Sequence, residues 1–107
     1  TMAMKTYLRH RTSAEVIALA AEKGIEINTE RFDEGGDHIV VTMPGPDGTP
    51  VKVLYNVFNG RFFCSQPGGA QFSSDNKLLD GQPWFDAMLD FFYVEYEPAP
   101  QLLKAAP

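Results

Sequence analysis

The run His38-Ile-Val-Val-Thr-Met-Pro-Gly-Pro-Asp-Gly-Thr-Pro-Val-Lys-Val-Leu-Tyr55 sets two β-rich segments on either side of Gly45-Pro-Asp-Gly48, and its reading decides the fold. The central residues suit a type I turn followed by a glycine bulge, which is a three-residue hairpin loop. Pairing Gly45 with Thr49 sets Met43 opposite Val51, Val41 opposite Val53 and Ile39 opposite Tyr55. Apolar side chains then share one face, so turn chemistry and hydrophobic period agree.

Working toward the C-terminus, the third strand is expected over 51–58 and meets Asn59-Gly60, a strong two-residue hairpin signal because both residues accept positive φ. A fourth strand, 61–66, returns beside it with Val57 opposite Phe62 and Tyr55 opposite Cys64. This register leaves Leu54, Phe58 and Phe63 on the second face, to be covered by a loop, by the tail or by another molecule.

Toward the N-terminus, Ile25, Ile27 and Thr29 alternate with Glu26, Asn28 and Glu30 as in a half-buried strand, and Glu34-Gly-Gly-Asp37 turns the chain. Thr12-Ser-Ala-Glu15 fits a capping box, so a helix is expected over 13–23. Val16, Ile17, Leu19 and Ala20 form its apolar stripe, and Lys23-Gly24 closes it.

Residues 67–82 read as one long polar, glycine-rich loop, and Pro83 suits the first position of a helix reaching about residue 93. On that helix Trp84, Met88, Phe91 and Phe92 fall together, with Phe85, Leu89 and Tyr96 beside them. Asp86, Asp90, Tyr93 and Glu97 cluster on the opposite side. The run Phe91-Phe-Tyr-Val-Glu-Tyr96 also has the propensity of a strand, which would follow a shorter helix.

The expected architecture is α+β: an N-terminal helix, an antiparallel meander of about four strands and a C-terminal helix, with both helices on one sheet face. A chain of 107 residues is the length of a single domain. Thr1 is no translation start, so residues 1–4 read as an added or flexible beginning, with Met2 or Met4 as initiator. Residues 12–97 read as the folded core and 98–107 as a flexible Pro/Ala tail. No apolar run is long enough to cross a bilayer, and the one cysteine cannot form an internal disulfide, so a cytoplasmic location is expected.

Charge is uneven. Residues 1–31 carry five Lys/Arg and four Glu, whereas residues 32–107 carry four Lys/Arg against ten Asp/Glu, for a net charge of −5. Phosphate backbones are bound by clustered cations, so direct nucleic-acid binding is not expected. The order helix, antiparallel strands, helix is similar to that of the double-stranded RNA-binding domain, which meets phosphates with lysines at the start of its last helix. Here the corresponding stretch reads Asp80-Gly-Gln-Pro-Trp-Phe-Asp86, so the element order is shared and the chemistry is not.

Candidate chemistry is sparse. Cys64 with His38 or His10 is the conceivable thiol–imidazole pair, but the register turns Cys64 into the core, where a thiol keeps its proton. His10 reads as solvated between Arg9 and Arg11, and His38 as a hydrogen-bonded strand-end residue. Neither histidine has a metal-site spacing around it, and Gly68-Gly69 lacks the pattern of a phosphate cradle. No catalytic residue, cofactor or metal site is assigned, and an enzyme is the less favoured class.

The expected function is a small acidic, non-catalytic interaction module, an inhibitor, immunity-type or accessory factor that binds a basic protein surface. Its acidic patch comprises Asp75, Asp80, Asp86, Asp90 and Glu97, joined by Glu95 and offset by Lys77. The alternative is a small-molecule binding domain or minor enzyme, with the 67–82 loop as lid over Leu54, Phe58, Phe63, Gln66 and Ser74. A homodimer through the second sheet face is the remaining possibility.

Overall fold

The computed structural model describes residues 7–29, 37–65 and 71–96. The elements are β1 (Tyr7–His10), α1 (Ser13–Lys23), β2 (Ile27–Asn28), β3 (His38–Pro44), β4 (Pro50–Asn56), β5 (Phe62–Ser65), β6 (Gln71–Ser73), α2 (Pro83–Phe92) and β7 (Tyr93–Tyr96). Strands β2-β3-β4-β5-β6 form an antiparallel meander, and β1 pairs with β7 as a separate two-stranded sheet. The α+β class stands. The described residues hold seven strands in two sheets rather than about four in one, and neither helix is terminal, because a strand precedes α1 and another follows α2.

The central hairpin has the expected register, with Met43 opposite Val51, Val41 opposite Val53 and Ile39 opposite Tyr55. Its turn differs: Asp47 takes φ 59° where a type I turn requires a negative value, so Asp47 and Gly48 are both left-handed. Loop length, not turn class, sets the register, and the length is unchanged.

The β4–β5 register is a correction. Tyr55 pairs with Phe62 and Val53 with Cys64, two residues away from the pairing implied by a tight Asn59-Gly60 loop. The cause is Asn56, whose side-chain oxygen accepts from the amides of Phe58 (2.8 Å) and Asn59 (3.1 Å). Gly60, at φ 79°, then donates to the Asn56 carbonyl at 2.8 Å, closing a wider loop. Because side chains alternate with a period of two, a slip of two leaves every residue on its expected face.

One complete row of the meander shows the result: Ile27, Val41, Val53, Cys64 and Phe72 lie side by side across five strands. Both helices cover this face. Val16 and Ala20 of α1 and Phe85, Met88, Phe91 and Phe92 of α2 join the sheet residues in one buried cluster. Phe92 stacks on Tyr55 with ring centroids 4.4 Å apart, and Phe85 meets Phe62 and Phe72 edge-on. Truncating a fully buried ring such as Phe92 to alanine would remove about 3–5 kcal/mol of stability.

Helix α1 is built as its sequence implies. The Glu15 amide donates to Thr12 Oγ1 (3.2 Å) and the Thr12 amide to Glu15 Oε1 (2.8 Å), while Gly24 ends the helix at φ 69°. Ile17, placed in the apolar stripe by periodicity, is 40% exposed. Of the expected strand over 25–30, the described residues hold Ile27–Asn28 as strand, and residue 30 lies outside them.

Helix α2 begins with Pro83 at its first turn and ends at Phe92, after which the β-branched and aromatic run continues as β7. Tyr93 and Tyr96 are therefore strand residues. The segment read as one long loop contains β6 and a single 3-10 turn at Lys77–Leu79. Gln71 and Ser73 pair with Ser65 and Phe63, so only part of 67–82 is irregular.

The β1–β7 sheet is fastened at its junctions. The Arg11 amide donates to the Phe92 carbonyl (2.9 Å), the Tyr55 hydroxyl to the Arg11 carbonyl (2.6 Å) and the Tyr93 hydroxyl to the Gly60 carbonyl (2.6 Å). Arg9 adds a two-point ion pair to Glu15. Strand β1 thus lies ahead of residue 12 within the described residues. Residues 1–4 and 98–107, and most of the expected Glu34-Gly-Gly-Asp37 turn, lie outside the described residues.

Candidate acidic groove

Helix α2 turns its apolar stripe to the sheet, so Asp86 and Asp90 are left exposed one helical turn apart. Strand β7 then brings Glu95 alongside, and the turn before α2 contributes Asp80. These four carboxylates line one open groove of about 800 Å³, together with Leu89, Tyr93, Val94 and Leu8. Ser74, Lys77 and Arg11 complete its polar lining. The Gly81 amide donates to Asp86 Oδ1 at 3.2 Å, which orients that carboxylate at the helix entrance.

The structure therefore gathers Asp80, Asp86, Asp90 and Glu95 from the expected acidic patch. Asp75 does not belong with them. It forms an ion pair with Arg61 across neighbouring segments and lines a different, shallower depression with Phe63 and Asn76. Glu97 lies outside the described residues.

Arg11 is the residue that sequence reasoning missed. It was counted with the basic N-terminal third, yet the β1–β7 pairing carries it beside Asp90. Its Nη2 lies 3.5 Å from the Asp90 carbonyl, and its buried Nε has no hydrogen-bond partner among the described residues. Among those residues the ion pairs are Arg9–Glu15 and Arg61–Asp75, so none of the four groove carboxylates is neutralised by direct pairing. The signal that would have found Arg11 is the strand-forming Tyr7–His10 segment, which has meaning only once its partner β7 is known.

Of the alternative constellation, Leu54 and Phe63 are paired neighbours on the outer sheet face, whereas Ser74 lines the acidic groove. Phe58 stands 80% exposed on the β4–β5 loop. Gln66 lies outside the described residues, as do residues 67–70 of the proposed lid.

Cys64 is buried between Val53 and Phe72, and desolvation raises its thiol to about 11. It is a protonated core residue at neutral pH. His38, opposite Asn56, projects from the other sheet face, so it cannot meet Cys64. His10, expected to be solvated, is half-buried against Gly60. Among the described residues, no group of three His, Cys, Asp or Glu side chains is placed to hold a metal, and no helix is long and apolar enough to cross a membrane.

No protein-family model, curated protein or solved structure matches the chain.

Proposed function

We propose that this protein is a small, acidic, non-catalytic interaction module of the cytoplasm, an inhibitor, immunity-type or accessory factor that receives a basic protein surface at the α2–β7 groove. The observation that carries this reading is the meeting of Asp80, Asp86, Asp90 and Glu95 in one open groove, whose lining among the described residues includes two cations, Arg11 and Lys77. Carboxylates held on a helix and a strand are pre-oriented, so they attract a cationic partner without first being ordered. The apolar floor of Leu89 and Val94 offers contact to the aliphatic stems of arginine and lysine.

The test is binding of a defined arginine- and lysine-rich peptide, followed by fluorescence anisotropy over a range of salt concentrations. The expected result is affinity that falls steeply with salt and is lost in the Asp86→Lys, Asp90→Lys double variant while its melting temperature is retained. Binding that is absent, or that responds neither to salt nor to the double substitution, overturns the proposal.

A further inference from the structure

We infer that the partner of the α2–β7 groove is a basic segment that also carries one large apolar side chain, seated in a hollow on the other flank of α2. This rests on the reading of the groove given above and adds to it a second, uncharged anchor point. The hollow, of about 510 Å³, opens between α1, the end of β3 and α2. Its apolar walls are Leu19, Ile25, Met43, Pro44, Ala87 and Phe91.

The hollow is continuous with the groove. Arg11 and Asp90 line both, so the two depressions meet at one ridge of α2. The helical period sets Asp86, Asp90, Ala87 and Phe91 on one arc across that ridge, with Asp86, Ala87 and Asp90 exposed. Ala87 stands three positions from Asp90, a spacing that puts their side chains about 5–6 Å apart. On an extended partner, side chains two positions apart are separated by about 7 Å, so one short segment reaches both depressions.

Charge decides what each depression takes. Among the described residues the groove sets four carboxylates against Arg11 and Lys77, whereas the hollow sets Asp90 alone against Arg11 and Lys23. Lys23 forms no ion pair among those residues. A lysine or arginine of the partner is therefore drawn to the groove and disfavoured in the hollow. The apolar walls would leave a polar side chain without hydrogen-bond partners, and they favour an uncharged, apolar one. Cations then steer the approach, and the apolar anchor slows release.

The test is fluorescence anisotropy of the full chain with arginine peptides of equal charge, one without leucine and the others carrying a single leucine at successive positions. The best-placed leucine should lower Kd about tenfold against the leucine-free peptide, and that ratio should persist as salt weakens both. Ala87→Gln extends an exposed helix residue into the hollow without changing charge, and glutamine is a good helix former. This variant, its fold checked by circular dichroism, should lose the leucine gain while binding the leucine-free peptide within about twofold of wild type. If the leucine-free peptide binds and no leucine position improves on it, or if Ala87→Gln leaves the gain intact, the inference is overturned and the acidic groove stands. Absence of binding by every peptide overturns both.

Discussion

Replacing Gly60 by alanine tests the account of how the terminal sheet is fastened to the meander. Gly60 sits at φ 79°, in the left-handed region, which costs an alanine about 1–2 kcal/mol. The stiffer unfolded chain returns about 0.4–1 kcal/mol of that. The steric term is larger. A Cβ at this position would stand 2.3 Å from the Cβ and 2.4 Å from the Cγ of His10, so β1 must shift or the loop must open. Overpacking of this kind costs about 1–3 kcal/mol. Movement of the loop also strains the 2.6 Å bond from the Tyr93 hydroxyl to the Gly60 carbonyl. The total is about 2–4 kcal/mol, a fall in melting temperature of roughly 8–16 °C for a chain of this size. Thermal and urea unfolding of Gly60→Ala, His10→Gly and the double variant give the magnitude and its cause. His10→Gly removes the atoms in the way, so the double variant should recover at least about 1 kcal/mol relative to the sum of the single effects. A Gly60→Ala protein within about 0.5 kcal/mol of wild type, or strict additivity with His10→Gly, would refute the reasoning.

Two further outcomes follow from titrating groups. Glu15, whose carboxylate accepts from the Arg9 guanidinium and from the Thr12 amide, is lowered to about 2. Its contribution to stability is therefore present above its unfolded value near 4.3 and is lost as pH falls toward 2. Glu15→Gln should flatten the stability profile across that acid window, as read by urea midpoints at successive pH values; an unchanged acid limb would contradict the capping and ion-pair geometry. Cys64, raised by burial, loses its proton more readily when unfolded than when folded, so stability should decline as pH rises from its ordinary 9.0 toward about 11. Its thiol should resist alkylation in the native protein and react on denaturation, and rapid native labelling would show that the β4–β6 layer opens.

The local parts of this structure were legible because their determinants lie within a few residues of one another. Thr12 and Glu15 start α1, Gly24 stops it, and the three-residue loop after Pro44 sets the β3–β4 pairing. The core face was legible even where the register was not: the β4–β5 pairing slips by two, and a period of two returns Phe62 and Cys64 to the same side. Asn59-Gly60 misled because the strength of that signal assumes that nothing nearby competes for the amides, whereas Asn56 does.

What tertiary structure alone decided is the terminal sheet and the charge of the groove. Tyr7–His10 carries little information alone, and Tyr93–Tyr96 fits helix and strand alike. Each becomes a strand because the other satisfies its backbone bonds, and the Tyr55 and Tyr93 hydroxyls hold that sheet to the meander. The same pairing moves Arg11 next to Asp90, while the chain's return through β6 gives Asp75 to Arg61. Electrostatic interaction falls off with distance through space, so a charge count along the chain located the acidic region and only the fold determined which carboxylates face one another.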